Sequence, residues 1–218
     1  MMKYPSVLLL CFIALPVSAQ TYQTHNPFAS ETLTIKQPEF IIDTVGASGN
    51  LCYLEGQIKN NTWQDGDGCR IHFRSARNSI SIAIPEKAKA ACSTYCGHNT
   101  FFDKTYYRLP IACTKQAAAQ TEQRFQTAYR KKHFQSAIRI KQTYLEQCGE
   151  FMHLVDRMRT RNDLAVSYKN AGNPAACRRV LQPLTEYMDN KEFQPSYIYR
   201  DEYERELKHA RFNRAACK

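Results

Sequence analysis

The chain is predicted to be an α+β protein: a small disulfide-braced, antiparallel β-rich domain followed by an all-α domain of helical hairpins. Three observations predict this. Short β-branched and aromatic runs between turn signals fill residues 39–113, apolar residues at helical spacing fill 114–218, and eight of the nine cysteines lie beyond an N-terminal apolar leader.

The leader comes first. Lys3 precedes an apolar core from Val7 to Leu15, then Pro16, Val17, Ser18 and Ala19, the layout of a secretory signal peptide over 1–19 cleaved near Ala19. Its core is shorter than the roughly 18–20 residues that span a bilayer. Cys11 follows three leucines, where lipid attachment requires a small residue immediately before the cysteine. No later segment is apolar enough to cross a membrane, so a periplasmic or secreted protein without stable membrane insertion is expected.

Export sets the cysteine chemistry. Cys52, Cys69, Cys92, Cys96, Cys113, Cys148, Cys177 and Cys217 are an even set in an oxidising destination, which favours disulfides over thiol or metal chemistry. Five lie in or beside the strand region and three among the helices. If all are bridged, either an odd number of bridges crosses the boundary or Cys113 at the seam pairs with the helical side. Cys92 and Cys96, four apart on a helix, run side by side and reach poorly toward each other, so each is expected to find a partner elsewhere. Cys148 and Cys177 are placed to approach one another.

Residues 20–38 are polar and read as a flexible tether. Strands are expected over 40–45, 51–58, 69–73 and 79–84, where Ile80, Ile82 and Ile84 alternate with Ser81 and Ala83. Asn60 to Gly68 is the connection, with Asp65, Gly66, Asp67 and Gly68 suited to a tight turn. A short helix over 86–95 and an extended run over 101–109 complete the domain. Beyond Cys113 the period becomes 3.6: four amphipathic helices, then a fifth over 199–216. Gly172, Asn173 and Pro174 mark a tight hairpin as helix stop, N-cap and first-turn proline.

Ala165, Tyr168, Gly172 and Cys177 fall at the spacing of a tetratricopeptide-type hairpin, and Phe125, Ala128, Lys132 and Ala137 form a second copy 40 residues earlier. The C-terminal domain therefore resembles that repeat over about 120–190, with Lys132 standing where the family has glycine. The N-terminal half resembles only uncharacterised exported bacterial proteins, which implies no activity. From the repeat resemblance, the first helix of each hairpin lines a groove holding Arg159, Asn162, Val166 and Lys169, with Glu122, Gln126 and Tyr129 at the equivalent earlier positions. The expected partner-binding residues are Arg159, Asn162, Lys169, Gln126 and Tyr129.

Charge points to the same half. The net charge is +10; residues 20–113 hold nine cations against eight acids, whereas 114–218 hold twenty against twelve. Arg130, Lys131, Lys132 and His133 form one basic run at a helix end. Export removes most nucleic-acid targets, so acidic envelope polymers or protein segments are the expected partners. Glu202, Glu204 and Glu206 share a helix with Arg200, Arg205 and Lys208 and read as a salt-bridged, solvated face.

Other chemistries lack parts. Cys92, Cys96 and His98 have no second pair to complete a metal site, and Asp65 with Asp67 lacks the remaining ligands of a calcium loop. Gly46, Ala47, Ser48 and Gly49 lack the glycine of a nucleophile elbow, and the six histidines stand singly. No cofactor or metal is expected. The function these residues imply is a non-enzymatic periplasmic binding or adaptor protein; an inhibitor or immunity-type protein blocking a cell-wall hydrolase or toxin, and an envelope enzyme, are the alternatives.

Overall fold

The computed structural model describes residues 19–190 and 192–218, so the expected leader, Ala19 apart, lies outside the described residues. Eight antiparallel strands form one strongly curled sheet in the order β4-β3-β2-β1-β8-β7-β6-β5. They are β1 (Gln20–Gln23), β2 (Ser30–Lys36), β3 (Glu39–Val45), β4 (Leu51–Gln57), β5 (Thr62–Gln64), β6 (Arg70–Ser75), β7 (Ser79–Ala83) and β8 (Thr105–Arg108).

The expected tether is a correction. Residues 20–36 supply β1 and β2, and β1 pairs with β2 on one side and β8 on the other at the centre of the sheet. In β2, Leu33 and Ile35 point into the core while Thr32 and Thr34 face out. The alternation was masked because Glu31, a charged residue, shares the inward face and is buried against Lys104 and the Thr24 hydroxyl, 2.6 Å away. A buried carboxylate of this kind is tolerated only when paired and hydrogen-bonded.

The segment 60–68 also differs from expectation: it holds two turns around β5. Asn60 and Asn61, both left-handed at φ 50° and 56°, make the β4–β5 hairpin turn, a conformation that asparagine tolerates. Asp65 then accepts hydrogen bonds from Asp67 N (2.9 Å) and Cys69 N (2.8 Å) through Oδ1 and from the Tyr95 hydroxyl (2.7 Å) through Oδ2.

One apolar core spans the concave face, from Leu33, Phe40, Ile42 and Leu54 to Ile71, Ile82, Phe102 and Tyr106. It is closed by the short helical segment of residues 86–95, which includes α1 (Lys89–Cys92). Cys92 bridges to Cys69 and Cys96 to Cys52, so the two neighbours do take separate partners. Each bridge fixes the plug to a different strand region, and closing such a loop is worth about 3–4 kcal/mol in the chain-entropy account.

The helices follow: α2 (Lys115–Arg130), α3 (Phe134–Cys148), α4 (Leu154–Asn170), α5 (Pro174–Leu181), α6 (Thr185–Asp189) and α7 (Arg200–Ala216). Cys113 pairs with Cys148 and Cys177 with Cys217. Cys148 and Cys177 therefore do not meet. The antiparallel α2–α3 hairpin returns the end of α3 to the seam before α2, while α7 ends beside the first turn of α5.

The two hairpins, α2–α3 and α4–α5, turn alike. Lys132 N donates to Tyr129 O and His133 N to Ala128 O; 40 residues on, Gly172 N donates to Lys169 O and Asn173 N to Tyr168 O. Both hinge residues are left-handed, Lys132 at φ 60° and Gly172 at φ 75°. Glycine adopts this conformation freely, whereas a side chain with a Cβ is penalised. Lys132→Gly is expected to raise stability by about 1 kcal/mol, read as a higher urea midpoint with unchanged slope, while Gly172→Lys lowers it by a similar amount.

The sheet and helices meet through the β1–β2 loop. Gln23 Nε2 donates to Phe151 O (2.6 Å), Leu154 N donates to Pro27 O (2.7 Å), and His25 stacks on Tyr107 with centroids 4.0 Å apart while meeting Phe151 edge-on.

Candidate functional site

Helix α4 is the axis of the helical module, flanked by α3 and α5 and crossed by α7. Inside, the Lys141 ammonium, 4% exposed, lies 2.5 Å from Glu122 and 2.7 Å from Asp163 and over the Phe125 ring. Burial holds the Asp163 carboxyl above the usual range despite Lys141, whereas at Glu122 burial is outweighed by the bonds from Lys141 and Gln126 and the carboxyl sits low. This network ties α2, α3 and α4 together.

The five expected partner-binding residues do not form one open cationic surface. Asn162 is 5% exposed beneath α7: its Nδ2 donates to Glu206 O (2.9 Å) and Glu206 Oε2 (3.1 Å), and its Oδ1 accepts from Asn213 (3.3 Å). Arg159 faces Asp156 at 2.9 Å, Glu206 at 3.4 Å and Glu202 at 3.7 Å. Its burial, which alone would weaken the charged form, is outweighed by these three carboxylates. Gln126 is bonded to Glu122, and the Tyr129 hydroxyl accepts from Asn170 (2.9 Å), joining α2 to the end of α4. Only Lys169 is fully exposed. The physical reason is that α7 supplies Glu202 and Glu206 to the face on which Arg159 and Asn162 stand.

That arrangement divides α7 into two faces. Glu206 turns inward and is nearly buried, with Arg205 at 3.7 Å and His209 at 3.5 Å. The other side carries Arg200, Tyr203, Glu204, Leu207, Lys208 and Arg211, at i, i+3, i+4, i+7, i+8 and i+11, one continuous helix face. Together with Phe193, Gln194 and Pro195 from the strap of residues 192–199 they line an open cleft of about 630 Å³.

Its floor is aromatic and its rim cationic. Phe193 packs against Tyr203 (5.5 Å between centroids), Tyr187 (5.2 Å) and, from the β1–β2 loop, Phe28 (5.8 Å). Arg211 is anchored by donating to Met188 O at 2.6 Å, which fixes its guanidinium in the wall. Arg200 and Lys208 stand in no ion pair among the described residues, so the salt-bridged face expected for α7 centres on Glu202 and Glu206, which reach Arg159 of α4 and, on the helix itself, Arg205 and His209. The Tyr203 hydroxyl is buried and has no hydrogen-bond partner among the described residues; burial raises its pKa, partly countered by Arg211.

No protein-family model, no curated protein and no solved structure matches the chain. The site is therefore read from its own chemistry: guanidinium and ammonium donors, the amides of Asn190 and Gln194 and an apolar floor, with Glu204 the single lining carboxylate among the described residues. Sequence reasoning grouped Arg200, Lys208 and the three glutamates as one solvated face. The signal for the cleft was the apolar Tyr203 and Leu207 interleaved with the cations at helical spacing.

The other candidate chemistries fall elsewhere. Cys92 and Cys96 are bridged, and no group of three or more His, Cys, Asp or Glu among the described residues is placed to hold a metal. His25 lies 3.7 Å from Glu150 at the contact between sheet and helices, and Ser48 accepts a hydrogen bond from Asn50 in the β3–β4 turn.

His153 links the start of α4 to the cleft's strap. Its Nδ1 accepts from Val155 N (3.3 Å), capping α4, and its ring lies 4.0 Å from that of Tyr199. Burial lowers its pKa below 6.5, outweighing Asp156 and Glu202. The unfolded chain thus takes up this proton before the folded one does, so the contribution is complete above pH 6.5 and is lost as pH falls through the folded-state value. Stability measured by urea unfolding is expected to decline below pH 6.5, and His153→Asn, which keeps a capping acceptor without titrating there, should flatten that part of the profile.

Proposed function

We propose that this chain is an exported binding protein that holds an acidic protein segment in the cleft between the strap and α7. The observation that carries the reading is the convergence of Arg200, Lys208 and Arg211 on an aromatic floor with one carboxylate among them. A segment carrying carboxylates next to a large apolar side chain matches both parts. Its carboxylates accept charge-assisted hydrogen bonds from Arg200 and Lys208, and its apolar side chain displaces water from Phe193 and Leu207. The Met188 carbonyl holds Arg211 in place before binding, which reduces the ordering cost of association.

Two further observations support it. Four disulfides, Cys52–Cys96, Cys69–Cys92, Cys113–Cys148 and Cys177–Cys217, point to an oxidising compartment, where such segments belong to other envelope or secreted proteins. No described helix is long and apolar enough to cross a membrane.

The test is calorimetry of the full chain with a peptide alternating glutamate and leucine as probe. Arg200→Ala combined with Lys208→Ala is expected to weaken binding about tenfold or more and to flatten its salt dependence, since exposed charges act through screened attraction. Lys169→Ala, in the groove implied by the repeat resemblance, should leave affinity unchanged. An unaltered constant in the double variant, or an equal loss at Lys169, overturns the assignment.

A further inference from the structure

The sheet closes imperfectly, and the seam has its own chemistry. β4 and β5 are consecutive in the chain yet stand at opposite ends of the strand order, and the backbone pairing between them among the described residues is the Lys59–Thr62 bridge at their turn. Beyond it the gap is filled by Trp63, the single tryptophan of the chain. Gly56 makes this possible, because a Cβ there would collide with the indole. The ring is wedged edge-to-face against Phe40 and Tyr95, with centroids 6.1 Å and 5.7 Å away, and remains half-buried.

Above this seam lies an open cleft of about 660 Å³, within the range of about 300–1,000 Å³ typical of small-ligand sites. Apart from Trp63 every residue lining it is polar. Gln57, Asn60 and Gln64 contribute side-chain amides, Lys59 and Arg70 positive charge, and Thr62 and His72 a hydroxyl and an imidazole. The cross-strand pairs of β5 and β6 orient them: Thr62 Oγ1 lies 3.1 Å from His72 Nδ1, and Arg70 Nε donates to Gln64 Oε1 at 3.0 Å. Each pairing leaves further groups free toward the cleft: the Gln64 amide N–H₂, the terminal nitrogens of Arg70 and Nε2 of His72.

From this set we infer that the β4–β5 seam is a binding site for an acidic oligosaccharide. Amide side chains donate and accept at once, which matches sugar hydroxyls and N-acetyl groups; a small inorganic anion uses only donors. The half-buried Trp63 supplies the lining's one apolar contact for a sugar ring. Lys59 and Arg70, with no carboxylate lining the cleft, select a sugar that carries one. The site is independent of the α7 cleft and uses none of its residues.

Trp63 also supplies the readout, because its fluorescence reports this cleft alone. The full chain is titrated with the disaccharide N-acetylglucosaminyl-N-acetylmuramic acid, with neutral diacetylchitobiose and with lactate, and calorimetry is run in parallel. Saturable change is expected with the acidic disaccharide, weaker change with the neutral one and none with lactate. Lys59→Ala with Arg70→Ala, both exposed side chains, should weaken the acidic disaccharide about tenfold and reduce its preference over the neutral sugar to near unity. Arg200→Ala with Lys208→Ala should leave the titration unmoved, so that this site and the peptide cleft fail separately. The inference is overturned by absence of both fluorescence change and heat with either sugar, by saturation with lactate equal to that with the disaccharide, or by displacement of the sugar by the glutamate-leucine peptide.

Discussion

The pairing of β1 with β8 is the constraint on which the rest of the structure depends. Without it the sheet is two separate four-stranded meanders, β1 to β4 and β5 to β8; with Tyr22 opposite Arg108 and Gln23 opposite Tyr107, they become one surface with one core. The partners are distant in sequence, so this contact closes a long loop and gains its return only once Leu33, Ile71 and Tyr106 share the same interior. The same strand then continues into the loop that holds the helices, through Gln23, His25 and Pro27. Curling the sheet around that join brings β4 and β5 together without pairing them along their length, and the seam left for Trp63 is the result.

Charge is sorted by a similar logic. The C-terminal half carries a large excess of cations, yet net charge alone does not make a binding surface. Arg159 is surrounded by Asp156, Glu202 and Glu206, and Lys141 by Glu122 and Asp163, so these cations serve the packing of helix against helix. Removing a partner of Lys141, whose ammonium is nearly fully buried, leaves an uncompensated charge, whereas the Arg159 pairs with Asp156 and Glu202 are half exposed and contribute less. Of the cations that have no acidic partner among the described residues, Arg200, Lys208 and Arg211 on the outer side of α7 gather where the strap leaves an aromatic floor uncovered.

Much of the fold was legible because its signals are local. Ile80 and Ile82 alternate inward in β7, Gly172 and Asn173 turn and cap their hairpin, and the parity of the cysteines left a Cys113 link to the helices as one of two arrangements, the one the structure has. What was not legible depended on contacts between distant residues. Glu31 broke the pattern of β2, because a sequence does not show that Lys104 and Thr24 wait to pair with it. Asn162 and Arg159 looked like a polar helix face because nothing local reveals that α7 returns across α4. The site followed the same rule: the sequence showed the last helix as one solvated face of mixed charge, but which of its sides stays open is settled by what the other side must satisfy.

The disulfides sharpen this division. Two fasten the helical plug to the sheet, one ties the seam before α2 to the end of α3, and one fastens the end of α7 to α5, so each braces a unit of neighbouring elements and none spans from the sheet's core to the far helices. The orientation of sheet against helices therefore rests on the non-covalent dock of the β1–β2 loop. Phe28, in that loop, packs on Phe193, and Phe193 is the floor of the α7 cleft, while Tyr197 rests on the β3–β4 turn at Gly49. On the proposed binding in this cleft, a ligand seated on Phe193 would press on a residue that the sheet module helps to hold. Affinity and docking would then be coupled through that shared ring, and reciprocally so: loosening the dock would weaken the cleft, and filling the cleft would steady the dock.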